Sequence, residues 1–327
     1  MLYKYNNVIN ELKSSPNPFI AFKVRTRVLA EDPLSPENRE LQEKMKRSGL
    51  VKTLLSVRGK SGKIPFHAYK KWIGSHWTLA LLADLDYPPG DKRLRPLRDQ
   101  TLEAWLCDNH INSVPVIRGR ARRCGSQEGN ALYSILKLGL DDGRSEQLVA
   151  NLLKWQWPDG GWNCDRRPGA SKSSFMETLI PLRALALHSD ITGSKETQQA
   201  AQKAASVFLK RNLFKRSADG SIMDKNFLLL HYPCYWHYDI LFGLKVMAEA
   251  DFIKHPACSD ALDLLESKRL ADGGFPAESR YYSVAVKPVG SNISCVDWGG
   301  TSKKKMNLYV TVDALQVLKA AGRLKFN

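Results

Sequence analysis

The sequence has few cysteines and no long apolar run. Six cysteines in 327 residues are too few for a disulfide framework, so we expect free thiols that serve packing, metal binding or catalysis. No apolar run approaches the roughly 20 residues that a membrane-spanning helix requires. The first ten residues, Met1 to Asn10, are polar and lack the apolar core of a signal peptide. The sequence therefore predicts a cytoplasmic protein without a transmembrane segment.

Acidic residues are also in the minority. The chain has 33 Asp and Glu residues against 49 Lys and Arg residues, which gives a net charge of +16. A basic surface attracts phosphates, nucleic acid, anionic lipid heads or acidic substrates without distinguishing among them. Two basic segments stand out, Arg118–Arg123 and Lys303–Lys305, and both precede apolar helical segments. No helix-turn-helix, zinc-finger or RNA-binding signature accompanies them. A nucleic-acid partner is therefore less favoured than a solvated rim or a site for a small anion.

Glycine-rich turns recur along the chain. Asp159-Gly160-Gly161-Trp162 and Asp272-Gly273-Gly274-Phe275 each follow a segment with helical periodicity, and Asp219-Gly220 is a weaker copy. Glycine lets a helix end in a left-handed conformation, and Asp favours the turn. A polar loop and then a more apolar helical segment follow each turn. This recurrence predicts a repeat of paired helices.

The apolar segments and the charge-rich segments alternate six times. The apolar helices are predicted at 18–29, 74–85, 128–138, 174–185, 236–247 and 307–318. The amphipathic helices between them are predicted at 3–13, 36–56, 92–107, 144–156, 195–211 and 257–269. Helices that are apolar all round are buried, whereas those with one charged face lie outside them. The pattern predicts an all-α fold, a single α6/α6 toroid of six outer–inner helix pairs, forming one domain over residues 1–327.

Two repeat units carry a family resemblance. Gln156-x3-Gly160-x-Trp162 matches the Gln-x3-Gly-x-Trp signature of squalene-cyclase repeats, and Arg269-x3-Gly273-x-Phe275 matches it with two substitutions. The chain thus resembles the squalene-cyclase and prenyltransferase repeat superfamily, which is terpenoid-cyclase-like in fold. The resemblance implies that the glutamine ties neighbouring helices while the tryptophan stacks beneath it. It also favours isoprenoid-type chemistry, although the signature itself is structural.

In a toroid of this kind the inner helices begin at one mouth. Their N-termini gather partial positive charge there, which favours an anion. Six polar residues near these starts are the candidate catalytic groups: His76, Glu128, Glu177, His237, Asp239 and Asp313. His237 with Asp239 is the preferred acid–base region. Capping of helix N-termini is the alternative explanation for Ser75, Ser174, Asn307 and Glu128.

Aromatic and amide residues near the same mouth are expected to line the cavity. They are Trp77, Phe175, Trp236, Tyr238, Trp298, Tyr309, Asn130 and Asn307. Aromatic faces stabilise cations, including the carbocations of terpene chemistry. Burial in the core is the alternative for each aromatic residue taken singly.

A zinc site is a further possibility. Thiolate and imidazole ligands suit zinc, and Cys234 lies three residues before His237. Protein prenyltransferases of the resembled superfamily hold zinc with Asp, Cys and His at this end of the barrel. The resemblance implies Asp297, Cys295 and His237 as ligands, with Cys234 nearby. The order here is Cys-x-Asp rather than Asp-x-Cys, and packing of small buried residues is the alternative.

The functional expectation is an enzyme with acid–base chemistry in a central cavity. Its substrate would be isoprenoid-like or another small anionic molecule, apolar with an anionic head. The Asp-x-Asp-Asp acid motif of triterpene cyclases is absent, because Asp141-Asp142 lies in a glycine-rich turn. Two alternatives stay open. One is a carbohydrate-active enzyme that uses pairs among Glu128, Glu177, Asp239 and Asp313. The other is a non-catalytic module that binds an anionic ligand or nucleic acid.

Overall fold

Alternating helices dominate the computed structural model, which describes residues 5–285 and 290–324. In chain order, the first helices are α1 (Asn6–Lys13), α2 (Pro18–Lys23), α3 (Pro36–Arg47), α4 (Gly49–Leu55), α5 (Ser75–Asp84), α6 (Arg95–Leu106), α7 (Asp108–Asn112) and α8 (Gly125–Lys137). Then follow α9 (Ser145–Trp155), α10 (Phe175–Thr192), α11 (Lys195–Leu209), α12 (Ile240–Glu249), α13 (Ser259–Ser267) and α14 (Leu308–Ala320). A π-helical turn, Val24–Val28, continues α2, and 3-10 turns cover Lys92–Leu94, Lys225–Leu228 and Pro256–Cys258.

Strand content is limited to four two-residue strands within the described ranges. β1 (Val116–Ile117) pairs antiparallel with β2 (Arg120–Ala121), which makes a hairpin in the basic segment before α8. β3 (Ser283–Val284) pairs in parallel with β4 (Ile293–Ser294). The all-α prediction is therefore confirmed. No helix in the described parts of the chain is long and apolar enough to cross a membrane.

Six helices form a closed inner ring. Around this ring α5 contacts α8, α8 contacts α10, α10 contacts α12, α12 contacts α14, and α14 contacts α2 with its π-helical extension. The ammonium of Lys23 closes the ring, because it donates to the carbonyl of Asp84 at 3.2 Å. Five of the six inner helices pack against outer helices next to them in sequence: α1 and α3 pack on α2, α6 on α5, α9 on α8, α11 on α10 and α13 on α12. The predicted toroid and all twelve predicted helical segments are present. Most boundaries shift by a few residues, but the segment predicted at 36–56 is interrupted at Ser48, and α10 continues beyond its predicted end at Leu185 to Thr192. Residues 3 and 4 of the first predicted segment lie outside the described residues.

The repeated turn ends its helices as the sequence predicts. Gly160 and Gly273 have φ of 105° and 89°, a backbone region that favours glycine. The side-chain amide of Gln156 donates to the carbonyls of Gly160 at 2.7 Å and of Ala200 at 2.9 Å, so it ties the end of α9 to α11. Trp162 is fully buried beneath this turn, and its indole N–H donates to the carbonyl of Leu152 at 3.0 Å. The structural role expected for the Gln-x3-Gly-x-Trp motif is thus confirmed.

Glycines let two inner helices touch along their length. A methyl group at Gly129 would lie 2.8 Å from the backbone nitrogen of Pro181, and one at Gly125 would lie 3.1 Å from the carbonyl oxygen of Glu177. Gly125 thus lies beside Glu177, and Gly129, four residues later, lies beside Pro181, also four residues later. The two helices therefore run parallel. Parallel neighbours start at the same end of the ring, which brings the first turns of α8 and α10 together at the mouth.

Candidate active site at the mouth of the helical ring

The centre of the ring is filled by ion pairs. The carboxylate of Asp313 lies 2.6 Å from the ammonium of Lys23 and 2.8 Å from that of Lys245, and all three side chains are about 95% buried or more. Lys245 also reaches Asp84 at 2.7 Å. Burial alone would raise the pKa of Asp84, but the positive charges of Lys245, Arg183 and Lys23 overcome this and hold it well below its ordinary value. Asp313, expected at the mouth as a catalytic residue, is instead neutralised by two lysines in the interior.

Little open space remains between this charged layer and the mouth. The cavity there is about 30 Å³, enough for one water molecule, and is bounded by Asp84, Asn130, Arg183, Cys234 and Tyr235 among others. Asn130 borders this cavity as expected. A larger space of about 190 Å³ lies on the opposite side of the ion pairs and is lined mainly by charged residues. Between the ion pairs and the mouth, the described structure therefore has no cavity large enough for the expected substrate. The groups that could meet a substrate lie at the mouth itself.

A buried histidine–carboxylate pair lies at the mouth. The Nδ1 of His231 is 2.7 Å from the Oδ2 of Asp239, and both side chains are fully buried. Asp239 also accepts hydrogen bonds from the backbone N–H groups of His231 at 2.9 Å and of Phe242 at 2.7 Å. The carboxylate of Asp239 and the carbonyl of Leu229, 3.3 Å away, are both acceptors that face Nδ1, so that nitrogen carries a proton. Nε2 is buried and has no hydrogen-bond partner within the described structure.

Asp239 corrects the expected helix boundary. The segment 236–247 was predicted to be helical, which would place His237 and Asp239 inside a helix. The helix α12 begins at Ile240 because Asp239 caps its N-terminus, so both residues lie in the loop before it. Asp239 therefore partners His231 rather than His237. The role of this region in acid–base chemistry stays a prediction.

His237 is stacked between two aromatic rings. Its ring centroid lies 3.9 Å from that of Trp236 and 3.6 Å from that of Tyr281, with nearly parallel planes on the Tyr281 side. Burial lowers the pKa of His237 to about 3, with a smaller contribution in the same direction from the neighbouring imidazole of His231, so the His237 ring is neutral at pH 7. His231 lies beside this stack, 6.2 Å from His237 and 4.9 Å from Tyr281 between ring centroids.

A second aromatic group continues the wall of the mouth. Trp72 stacks on Tyr235 at 3.9 Å and meets the edge of Trp77 at 4.7 Å. The ammonium of the partly exposed Lys71 lies 5.3 Å from the Trp72 ring and 5.1 Å from the Trp236 ring. An apolar wall with one cation above it suits a molecule that joins an apolar part to an anionic group.

Glu177 and two cysteines meet at the first turns of α8 and α10. One ligand atom of each of Cys124, Cys164 and Glu177 lies within 4.8 Å of the others. The backbone N–H of Ser126 donates to Glu177 at 3.1 Å. Burial raises the pKa of Glu177, and the charge of Glu128 raises it further, while this hydrogen bond opposes the change.

Glu128 and His76 are held in structural contacts. Glu128 is fully buried and pairs with Arg123 at 2.6 Å and with His110 at 2.8 Å, so it does not cap α8. His76 accepts a hydrogen bond from the indole of Trp105 at 3.1 Å on Nδ1. Burial lowers the pKa of His76 to about 3, which keeps the ring neutral. Glu128 is thus already neutralised, and His76 is a neutral acceptor packed among aromatic rings.

The remaining expected lining residues mostly pack in the core. Phe175 and Tyr238 lie against Phe208 of the outer helix α11, with ring centroids 4.5 and 5.9 Å away. Tyr309 stacks on Tyr232 and meets the edge of the fully buried Trp298. Asn307 caps α14 by accepting from the N–H groups of Tyr309 and Val310, as the capping interpretation predicted, whereas the side chains of Ser75 and Ser174 cap no helix.

The cysteines do not form the implied zinc site. All six are free thiols. Cys234 groups with His231 and Asp239 within 4.8 Å, but Cys295, Asp297 and His237 belong to neither of the ligand groups found in the described residues. Asp297 instead accepts from the backbone N–H of Gly299 at 2.9 Å. Arg122, from the basic segment 118–123, is buried and donates to two carbonyl oxygens, so only part of that segment is a solvated rim.

Several important residues were not among the sequence-based candidates: Tyr281, Trp72, Lys71 and the cations of the ring centre. One signal was available for two of these cations. Arg183 and Lys245 are single cations inside otherwise apolar inner helices, which requires buried partners. Nothing in the sequence brings Tyr281 to His237, because 44 residues separate them and the contact depends on loop conformation.

Comparison with known proteins gives distant similarities only. No family model matches the chain, and no curated protein matches it. Among solved structures, it is similar to the Lin0763 protein of Listeria innocua, at 15% identity and a TM-score of 0.41, over 98% of this chain and 89% of that one. It is also similar to the type II terpene cyclase MstE of Scytonema in complex with merosterolic acid A, at 14% identity and a TM-score of 0.27, over 86% of this chain and 98% of that one. A second MstE complex, with geranylgeranyl dihydroxybenzoate, gives 15% identity and a TM-score of 0.26 over the same shares. At these scores the similarities carry no conclusion about activity.

Proposed function

We propose that this protein is an enzyme that performs general acid–base catalysis at the mouth of its helical ring, on a small substrate with an apolar part and an anionic head. The observation that carries the proposal is the pair of His231 and Asp239. A buried carboxylate at 2.7 Å orients the imidazole, and the other ring nitrogen, Nε2, has no hydrogen-bond partner among the described residues. An unpaired buried polar atom destabilises a fold, so a functional reason for it is favoured.

In this mechanism His231 Nε2 takes a proton from the substrate and later returns it. Asp239 holds the proton on Nδ1 and stabilises the imidazolium that forms. His231 is fully buried, so the substrate reaches it only after the partly exposed Tyr281 ring moves aside. His237 stays neutral beside it and forms part of the wall with Trp236.

Aromatic rings and one cation support the substrate class. Trp236 is partly exposed at the mouth, and Lys71 places a positive charge 5.1 Å from its ring. The buried stack of Trp72 on Tyr235 supports this wall from behind. An isoprenoid diphosphate combines these properties, with a hydrocarbon chain for the rings and a charged head for Lys71. The paired-carboxylate alternative is less favoured, because Glu128 and Asp313 are neutralised by cations.

The first test measures binding and turnover of farnesyl diphosphate, with a disaccharide as the competing substrate class. Calorimetry should detect farnesyl diphosphate binding that weakens in Lys71→Met. Mass spectrometry should detect conversion that falls about 100-fold or more in His231→Asn, the loss typical of a removed general base, while binding is retained.

His188→Asn is a matched control. His188 is also a buried histidine next to a carboxylate, Glu146, at 2.9 Å, but it lies near the far end of α10. This variant should turn over like the wild type once folding is verified. Equal turnover in wild type and His231→Asn would overturn the mechanism. Conversion of the disaccharide, or no binding of farnesyl diphosphate, would overturn the substrate class.

A further inference from the structure

We propose that Cys124, Cys164 and Glu177 form a binding site for a zinc-class divalent metal ion at the mouth of the ring. The site is separate from the His231–Asp239 pair and shares no residue with it. Two sulfur ligands and one carboxylate oxygen come from three different segments: the residue before α8, the loop after Trp162, and the first turn of α10. All three side chains are partly exposed, so an ion can enter from solvent.

The distances suit a tetrahedral ion. Zinc–sulfur bonds near 2.3 Å and zinc–oxygen bonds near 2.0 Å place two sulfurs about 3.8 Å apart and a sulfur and an oxygen about 3.5 Å apart. Here Cys164 Sγ lies 3.7 Å from Glu177 Oε1, and the three ligand atoms all lie within 4.8 Å of one another. An ion therefore requires the ligand atoms to approach one another by no more than about 1.3 Å, the difference between 4.8 and 3.5 Å.

Neighbouring contacts hold the ligands in place. The backbone N–H of Ser126 occupies Oε2 of Glu177, which leaves Oε1 directed at the Cys164 thiol. Gly125 brings Cys124 close to this group, since a methyl group there would lie 2.8 Å from the Trp162 ring. On the other side, Asn163 fixes the loop of Cys164 by donating to the carbonyl of Lys172 at 2.9 Å. Such supporting hydrogen bonds orient ligands in metal sites.

The donor set selects the class of metal. Two thiols and one carboxylate suit zinc or cobalt, whereas magnesium and calcium prefer oxygen ligands alone. Three protein ligands leave a fourth position for water or a substrate, the pattern of catalytic rather than structural zinc.

The other ligand group of the mouth is less suited to an ion. Both oxygens of Asp239 already accept hydrogen bonds from backbone N–H groups, and the carboxylate is fully buried. Oε1 of Glu177, in contrast, accepts a hydrogen bond from the weakly donating thiol of Cys164, which an ion can replace. The carboxylate of Glu177 is therefore better placed to bind an ion than that of Asp239.

The test uses the full chain, stripped with a chelator under reducing conditions and titrated with Co²⁺ and then Zn²⁺. Cobalt bound by thiolates gives a near-ultraviolet charge-transfer band, and its visible bands are intense when coordination is tetrahedral. We expect one equivalent to bind, with the charge-transfer band displaced by zinc. Cys124→Ser and Cys164→Ser should each weaken binding by more than about 100-fold, since even outer contacts contribute 10- to 100-fold. Glu177→Gln should weaken binding while the sulfur band persists.

Cys234→Ser and Cys295→Ser are the controls. Both should bind cobalt like the wild type, and circular dichroism should verify that every variant folds. Zinc should also raise the Tm of the wild type and not that of Cys164→Ser. Loss of the band in Cys234→Ser, cobalt binding without a sulfur band, or a Cys124–Cys164 disulfide in a protein whose reduced form binds no metal would each overturn the site. The cobalt spectrum and the Tm do not depend on turnover. A negative result would therefore overturn the metal site without bearing on the farnesyl diphosphate assay.

Discussion

The ammonium of Lys245 lies 2.8 Å from the carboxylate of Asp313 at the centre of the helical ring. The two residues come from adjacent inner helices, α12 and α14, and Lys23 reaches the same carboxylate from α2. One buried charge thus links three inner helices. Removing it leaves two ammonium groups in a region of low dielectric, with Asp84 as the nearest counter-charge.

We therefore expect Asp313→Asn to lower the free energy of unfolding by about 3–5 kcal/mol, the cost of breaking a buried ion pair from one side. Chemical denaturation followed by circular dichroism measures it. Glu40→Gln is the control, because Glu40 pairs with Lys44 at 2.7 Å on the exposed face of α3 and should show no measurable change. Equal stability of both variants would contradict a charge-linked ring centre.

Acid should destabilise the protein through the same region. Asp86 pairs with Arg27 at 2.7 Å and with Lys137 at 2.9 Å. Burial raises its pKa, but the charges of Lys137 and Arg27 dominate and hold the pKa well below the ordinary value. A carboxyl whose pKa is lowered by folding stabilises the folded state above its unfolded pKa of about 3.9, and that stability is lost as the pH falls towards the folded pKa.

The free energy of unfolding should therefore fall as the pH decreases below about 5. In this range Asp86 becomes protonated in the unfolded chain but stays ionised in the folded protein. Asp86→Asn should be less stable at pH 7 and show a shallower decrease in acid. Denaturation curves across the acidic range measure both effects. A slope in the variant equal to that of the wild type would assign the acid sensitivity to other carboxyl groups.

The tie made by Gln156 should contribute measurably to stability. Gln156→Ala removes the donor to the carbonyls of Gly160 and Ala200. We expect a loss of about 1–3 kcal/mol, since buried acceptors lose their partner. Gln198→Ala, on the exposed face of α11, should change stability by less than about 0.5 kcal/mol. Similar values for the two variants would mean that the motif amide does not join α9 to α11.

Most of the fold was predictable from the sequence because apolar periodicity and glycine turns depend on local residues. The six inner and six outer helices follow from that pattern, whereas the tying role of Gln156 was implied by the family resemblance. The organisation of residues 1–327 as one domain and the family membership stay predictions. The interior was not predictable to the same degree, because the partners of Lys23 and Lys245 lie up to 290 residues away in the chain.

The candidate site was predicted only in part. Polar residues that open apolar helices indicated a group at the helix starts that includes Asp239, and its catalytic role stays a prediction. Asp239 contacts His231 rather than His237 because it caps α12, which places the chain before Ile240 in a loop and turns the carboxylate towards His231. The spacing of His237 and Asp239 along a helix gives no information about their contacts, because α12 begins only at Ile240.

The contact between α8 and α10 gives a last prediction. A methyl group at Gly129 would lie 2.8 Å from the nitrogen of Pro181 and 3.0 Å from the carbonyl carbon of Ile180. Backbone cannot yield as a flexible side chain does, so the two helices must separate. Ala favours a helix more than Gly by up to about 1 kcal/mol, but the forced separation outweighs this. We expect Gly129→Ala to lower the free energy of unfolding by about 1–3 kcal/mol.

Gly49→Ala is the control and should leave the free energy of unfolding nearly unchanged. It lies at the start of α4, with no described atom within 4 Å of the added methyl group. Denaturant unfolding of both variants measures these free energies. A Gly129→Ala protein as stable as the Gly49→Ala control would mean that the two inner helices do not touch at Gly129.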